Sequence, residues 1–156
     1  MTYSLDTAFR DQEDLQIDSY NGSPALLTDE GKIEFIRWNI LALEDELHEA
    51  LGEVGWKPWA TSRHINRAAY RGELVDAFHF FMNLCLVVGI SAEELLNEYR
   101  KKRALNAERQ LEGYDGVSSK CPACGRALDD PATTCHRENE EYFTCSRQGT
   151  LPFSLS

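Results

Sequence analysis

The sequence lacks any apolar run long enough to span a membrane, which argues against an integral membrane protein. Its start, MTYSLDTAFRDQEDLQ, lacks the basic residues and apolar centre of a signal peptide. Basic residues are also scarce, with 16 Lys and Arg against 26 Asp and Glu, for a formal net charge of -10. Such a surface repels nucleic acid. We therefore expect a cytosolic protein without membrane or nucleic-acid partners.

Cysteine is nearly absent from most of the chain, and four of the five cysteines follow residue 120. In a reducing compartment this crowding favours a metal site over disulfides, which are the alternative if the protein is exported. The segment CPACG, at 121–125, is typical of a zinc knuckle. The expected ligands of a structural Zn²⁺ are Cys121, Cys124, Cys135 and Cys145, with His136 as the alternative to Cys135.

Internal repeats and strand patterns are also absent from the first three quarters of the chain, whereas helical periodicity is clear. Composition changes after Gly116. We therefore predict an all-α domain over 1–116, a bundle of about four helices, and a small zinc-knuckle module over 117–156. The expected helices cover about 7–17, 29–54, 66–88 and 91–111, the last opened by a capping box of Ser91 and Glu94.

The third predicted helix is apolar on nearly every side in its second half, AFHFFMNLCLVV. Such a helix is buried all round, at the centre of a bundle or in a dimer interface. Three other helices are few to cover it, so we expect a homodimer or higher oligomer. Cys85 and His79 are interpreted as core residues, with His79 hydrogen-bonded to a neighbour.

Carboxylates lie beside the apolar stripes of two helices. Glu46 and Glu49 are three residues apart on the second helix, and Glu73 and Asp76 are three apart near the start of the third. Magnesium prefers such oxygen ligands, and facing pairs would form a two-metal or three-metal site. A solvated helical face is the alternative for Glu46 and Glu49, but Glu73 and Asp76 begin an apolar helix.

The fourth helix offers the opposite charge. Lys102, Asn106 and Arg109 are spaced by four and three residues and so share one face. Lysine and arginine are suited to binding phosphates. The alternative is a basic last turn that complements the helix dipole.

These motifs together resemble the dimeric dUTPase group of the all-α NTP pyrophosphohydrolases, a superfamily that includes the MazG-like enzymes. Within this superfamily the sequence resembles the T-even phage dCTPase/dUTPase members. If the protein is encoded by a phage, the expected compartment is the cytosol of the host cell. The resemblance spans roughly residues 8–116. It is carried by QEDLQI at 12–17, ELHE at 46–49, GWKPW at 55–59, ELVDAFHFFMN at 73–83 and KKRALNAERQLEGY at 101–114.

The resemblance implies hydrolysis of a deoxynucleoside triphosphate to the monophosphate and pyrophosphate by a metal-activated water. Glu46, Glu49, Glu73 and Asp76 would bind Mg²⁺ or Mn²⁺, with Glu49 orienting or deprotonating the water. The phosphates would be held by Lys102, Asn106 and Arg109, together with Lys57 and Tyr114.

For the base, the resemblance implies stacking on Trp56 or Trp59, whose alternative role is packing at a bend. Gln12, Gln16 and Asn83 would read its edge. At the position of Gln16, uracil-specific members carry Asn and the phage members carry Gln, so dUTP and dCTP are both expected substrates. Glutamine amides that rotate would accept either base, whereas an amide locked by its neighbours would select one.

Two other functions stay open from the sequence. The first keeps the chemistry and changes the base, as in a purine-directed MazG-like enzyme that cleaves dGTP. The second is a non-catalytic protein that senses or binds nucleotides and carries a zinc module. The sequence leaves undecided which base is preferred, which phosphorus is attacked and what the tail does.

Overall fold

The computed structural model describes residues 3–20, 22–111 and 113, and these residues form an all-helical structure, as predicted. No strand occurs among them. The zinc ligands proposed after residue 120, and Tyr114, lie outside the described residues. The helices are α1 (Leu5–Tyr20), α2 (Asp29–Gly52), α3 (Arg67–Val87) and α4 (Ala92–Leu111), with a short 3₁₀ helix at Pro24–Leu26.

The chain divides into two compact units, Met1–Arg100 and Lys101–Ser156. The first unit contains α1, α2, α3 and the beginning of α4, and the second contains the rest of α4. In the described residues no single helix is long and apolar enough to cross a membrane, and α3 with α4 passes that test only as a bent pair.

Side-chain caps fix the beginnings of α2 and α4. Thr28 precedes α2, and its hydroxyl accepts a hydrogen bond from the Gly31 N–H at 3.2 Å. At α4 the Glu94 N–H donates to the Ser91 hydroxyl at 3.2 Å, while the Ser91 N–H donates to Glu94 Oε2 at 2.9 Å. This reciprocal pair is the predicted capping box, and it satisfies backbone donors that have no partner within the helix.

Gly89 ends α3 in the left-handed region, with φ of 73°. Its N–H donates to the Leu86 carbonyl at 3.0 Å, and the N–H of Ile90 donates to the Cys85 carbonyl at 2.9 Å. These two bonds form a Schellman motif, which favours glycine because other side chains are strained at this φ. The chain thereby turns sharply into the Ser91 cap of α4.

The core of the first unit lies where α1 meets α3 and the start of α4. Phe9, Met82, Cys85 and Ala92 are buried together, and Leu5, Ala8, Leu86 and Leu95 pack around them. The predicted burial of Cys85 is thus confirmed, and desolvation raises the pKa of its thiol. This cluster holds α1 across α3, which positions the polar residues on the inner face of α1.

Within the single described chain α3 is not covered on every side, and its burial in a dimer interface stays a prediction. Phe78 and Phe81 stack with ring centroids 6.5 Å apart, yet each keeps more than a third of its surface exposed. Leu74 and Val88 are exposed as well, and so is a row of apolar residues along α2 formed by Ile33, Ile40, Leu47 and Leu51. The described helices are too few to cover these faces.

The loop between α2 and α3 is a closed structure that the sequence did not predict. Val54 and Ile65 form an isolated antiparallel bridge, and the Gly55 N–H donates to the His64 carbonyl at 2.8 Å. The Arg63 guanidinium donates to three backbone carbonyls across the loop, those of Gly55, Lys57 and Pro58.

Gly55 is required by this loop and does not end α2. The helix stops at Gly52, three residues earlier. A Cβ at position 55 would lie 2.5 Å from the Ser62 carbonyl oxygen and 3.0 Å from the His64 nitrogen, so only glycine allows the two segments to approach. The second helix, expected over about 29–54, thus ends two residues earlier than predicted.

Gly55→Ala should lower the free energy of unfolding by about 1–3 kcal/mol, because backbone atoms must shift to admit the methyl group. Gly72→Ala is the matched control, since an added Cβ there meets nothing within 4 Å inside α3. It should stabilise the protein by about 0.5–1 kcal/mol. Urea unfolding of the three proteins measures both values, and equal stability of the two variants would contradict the assignment.

Candidate active site

Side-chain hydrogen bonds at both ends show that α2 and α3 run antiparallel. At one end Asn66 Nδ2 donates to Glu53 Oε2 at 2.7 Å. At the other end Asn83 Nδ2 donates to Asn39 Oδ1 at 2.9 Å. In this register the carboxylates in the middle of α2 lie opposite those at the start of α3.

Three of the four predicted metal-binding carboxylates meet between these helices. One oxygen from each of Glu46, Glu49 and Glu73 lies within 4.8 Å of the others. Glu46 and Glu73 are partly buried, whereas Glu49 is exposed. Asp76, one turn after Glu73, is near enough to act electrostatically on Glu46. The structure therefore brings together residues that are distant in the sequence.

The carboxylates of this cluster act on Glu46 electrostatically. Partial burial raises the pKa of Glu46, and repulsion from Glu49, Asp76, Glu73 and Asp45 raises it further. The neighbouring carboxylates therefore disfavour the ionised form of Glu46. A hard divalent cation reverses this penalty, and an all-oxygen donor set is what Mg²⁺ and Mn²⁺ prefer. The residues present fit such an ion.

A chain of buried amides lies along the helices, away from the carboxylates. Gln12 Nε2 donates to Asn83 Oδ1 at 2.8 Å, and Gln12 Oε1 is 2.6 Å from Nδ1 of His79. Asn83 bonds to Asn39 as above, and Asn39 Nδ2 donates to the Phe35 carbonyl at 2.8 Å. Gln12 and Asn83, two of the predicted base-reading residues, thus belong to one network. His79 bonds to a neighbour, as the sequence interpretation expected.

Asn39 belongs to this network but was missed by the sequence analysis. A signal existed, because Asn39 lies seven residues before Glu46 and so on the same face of α2. Gln16 follows Gln12 by one turn and is also buried, with 6% of its surface exposed. Within the described residues no hydrogen bond to its amide is recorded.

The predicted stacking residues lie elsewhere. Trp56 and Lys57 line a cavity of about 560 Å³ with His48 and His64, whereas Trp59 is 77% exposed and does not line it. His48 lies nine residues after Asn39, or roughly 13 Å along the helix. Trp56 is therefore at the level of the carboxylates, and the helix pair does not place it beside Gln12 and Asn83.

Three of the predicted phosphate-binding residues, Lys102, Asn106 and Arg109, belong to the second unit, whereas Lys57 belongs to the first. Lys102 and Asn106 are exposed on α4, and Arg109 Nη1 donates to Asn106 Oδ1 at 3.2 Å. This contact agrees with the predicted common face of Asn106 and Arg109. Their phosphate-binding role stays a prediction.

Comparison with known proteins identifies similar sequences in one family. The profile of the family described as dUTPase matches residues 4–90, more than half of the chain. A dCTP pyrophosphatase of Enterobacteria phage LZ5 is 39% identical, over 44% of this chain and 52% of its own. A dCTP pyrophosphatase of Enterobacteria phage T4 is 31% identical, over 46% of this chain and 56% of its own.

The chain thus spans about half the length of the curated relatives it matches. No solved structure matches it. The matched profile includes the carboxylates and the amide network, but it ends before KKRALNAERQLEGY at 101–114. The evidence for that last motif is therefore the sequence resemblance alone.

Without divalent metal, Glu46→Gln should raise the melting temperature at neutral pH. A carboxyl whose folded-state pKa is raised stabilises the fold only below its ordinary pKa, and this contribution is lost as the pH rises through the folded-state value. The gain in the variant should therefore shrink as the pH falls through the raised folded-state pKa, and it should be smallest below 4.5, the ordinary value. Glu44→Gln, at an exposed position on the same helix, is the charge-matched control.

Adding Mg²⁺ at neutral pH should raise the melting temperature of the wild type more than that of Glu46→Gln, because a bound ion stabilises only the folded state. Thermal melts in chelator and in Mg²⁺ measure both effects. A variant that melts like the Glu44→Gln control under every condition would contradict the assigned repulsion.

Proposed function

The chain belongs to the dUTPase family, and on that premise we propose that it hydrolyses dUTP or dCTP to the monophosphate and pyrophosphate. The observation that carries the proposal is the meeting of Glu46, Glu49 and Glu73 between two helices, with Asp76 one turn away. Family membership and the names of the phage relatives support the substrate class.

In the proposed site, Glu46, Glu49, Glu73 and Asp76 hold Mg²⁺ or Mn²⁺. When bound, the cation neutralises phosphate charge and makes water a stronger nucleophile. Glu49 is the exposed residue of the three carboxylates that meet, and we assign it to orient the attacking water and to accept its proton. The phosphates are assigned to Lys102, Asn106 and Arg109. The cysteine-rich tail would hold a structural Zn²⁺ with no part in the chemistry.

The base is assigned to the amide end of the helix pair. Asn39 lies seven residues before Glu46 on α2, and Asn83 lies seven residues after Asp76 on α3. Seven residues span about 10 Å along a helix. That separation suits a nucleotide whose triphosphate lies on the carboxylates and whose base reaches Gln12, Gln16 and Asn83. Trp56 and Lys57, at the carboxylate level, are better placed to contact the sugar or the phosphates.

Glu49→Gln and Asp76→Asn should each lower kcat by about a hundredfold or more, because each removes a charge from the cation site. Glu44→Gln should keep wild-type turnover. Activity should be lost in a chelator that removes Mg²⁺ and Mn²⁺, and should return with either ion and without added Zn²⁺. Pyrophosphate release is the measurement, and near-normal turnover in both site variants would reject the assignment.

A homodimer or higher oligomer is proposed because apolar faces of α2 and α3 are left exposed, with Phe78 and Phe81 on the latter. Exposed apolar surface of this kind marks association sites. Light scattering at micromolar concentration should give at least a dimer, and Phe81→Asp should shift the mass towards a monomer. Leu26→Asp, at an exposed position in the 3₁₀ helix, should not. A monomeric wild type would contradict the proposal.

Pyrimidine triphosphates should be the best substrates. We expect kcat/KM for dUTP and dCTP to exceed that for dATP and dGTP by about a hundredfold, and dCTP to compete with dUTP. A panel of the four common deoxynucleotides and dUTP, with pyrophosphate as the readout, measures this. A preference for dGTP would favour the purine-directed alternative, and binding without turnover of any nucleotide would favour a sensing protein.

A further inference from the structure

The buried amide chain is unusual for so small a core. Gln12, Asn39 and Asn83 are each at least nine-tenths buried. Burying amides is costly unless their donors and acceptors are paired, and apolar side chains of similar size would fill the same space without that cost. Here three helices each contribute to one continuous chain of hydrogen bonds. Such a chain of hydrogen bonds fixes the orientation of each amide group, whereas apolar packing fixes no donor or acceptor.

The chain has one permitted direction because it ends at a backbone carbonyl, which can only accept. Asn39 must therefore present its NH₂ group to the Phe35 carbonyl and its oxygen to Asn83. It follows that Asn83 donates to Asn39 and that its own oxygen accepts from Gln12. The oxygen of Gln12 then faces His79, so Nδ1 of that imidazole carries the proton.

Reversing the chain is not possible without losing bonds. If the Gln12 amide inverted, its oxygen would face the Asn83 oxygen, and both asparagines would have to invert as well. The last inversion would set the Asn39 oxygen against the Phe35 carbonyl oxygen, now 2.8 Å from Nδ2, with no hydrogen between them. Unpaired buried acceptors of this kind are strongly disfavoured.

We propose that Asn39 is a positioning residue that locks the amides of Asn83 and Gln12 in one orientation and places the proton of neutral His79 on Nδ1. Its anchor is the Phe35 carbonyl. Gln12 is consequently not one of the freely rotating amides expected from the sequence. Among the candidate base-reading residues, only Gln16 has no recorded hydrogen bond in the described part of the chain.

The consequence for selectivity rests on the proposed function. A locked amide presents the same donor and acceptor to every base, and cytosine and uracil exchange donor and acceptor at two adjacent edge positions. Fixed hydrogen-bonding groups discriminate between such partners, whereas adaptable ones do so much less. Asn39 therefore acts on base selection through Gln12 and Asn83, without contacting the base.

The direct test is the tautomer of His79, read from nitrogen NMR shifts of the ¹⁵N-histidine-labelled protein at alkaline pH, where imidazole is neutral. The wild type should show Nδ1–H and an unprotonated Nε2. Asn39→Leu removes the anchor, so Gln12 can invert and a population of Nε2–H should appear. Asn39→Asp is the matched control. An ionised Asp side chain can only accept, so Asn83 must still donate to it and His79 should keep Nδ1–H.

The enzymatic readout is the ratio of kcat/KM for dCTP and dUTP. It should move towards equality by about tenfold in Asn39→Leu and stay near the wild-type value in Asn39→Asp. The NMR result does not depend on activity, so an inactive protein would reject the proposed function and leave the lock testable. Nε2–H in the wild type or in Asn39→Asp would overturn the lock. So would a folded Asn39→Leu that keeps both the wild-type tautomer and the wild-type ratio.

Discussion

The antiparallel packing of α2 against α3 is the contact on which the site depends. It places polar groups opposite one another at two levels, Asn39 with Asn83 at one end of the contact and Glu53 with Asn66 at the other. The amides satisfy one another, but the carboxylates between them repel, as the raised pKa of Glu46 records. The helix pair thus keeps an electrostatic penalty in its middle, which a divalent cation can relieve.

Much of this arrangement could be predicted from local patterns. Helical periodicity and caps predicted four helices to within a few residues, because those signals are local. The carboxylates could also be identified, since Glu73 and Asp76 directly precede the apolar second half of α3. The spacing within each pair of carboxylates placed the pair on one face of its helix, and the family resemblance supported a site shared by both pairs.

Features set by tertiary contacts could not be predicted in the same way. Gly55 reads as a helix end, but its role depends on the approach of Ser62 and His64 from across a loop. Asn39 has no motif of its own, and its importance appears only when α1 and α3 complete the amide chain. The position of Trp56 at the carboxylate level could not be predicted either, because the linear sequence carries no information on distance along the helix pair.

The central claim is that one nucleotide lies along this pair, with its triphosphate on the carboxylates and its base on the amides. A crystal structure with Mg²⁺ and a non-hydrolysable dUTP or dCTP analogue tests it most directly. The account predicts Mg²⁺ bound by oxygens of Glu46, Glu49, Glu73 and Asp76, and the base edge within hydrogen-bonding distance of Gln12, Gln16 or Asn83. Mg²⁺ and phosphates bound away from these carboxylates, or a base out of reach of all three amides, would contradict it.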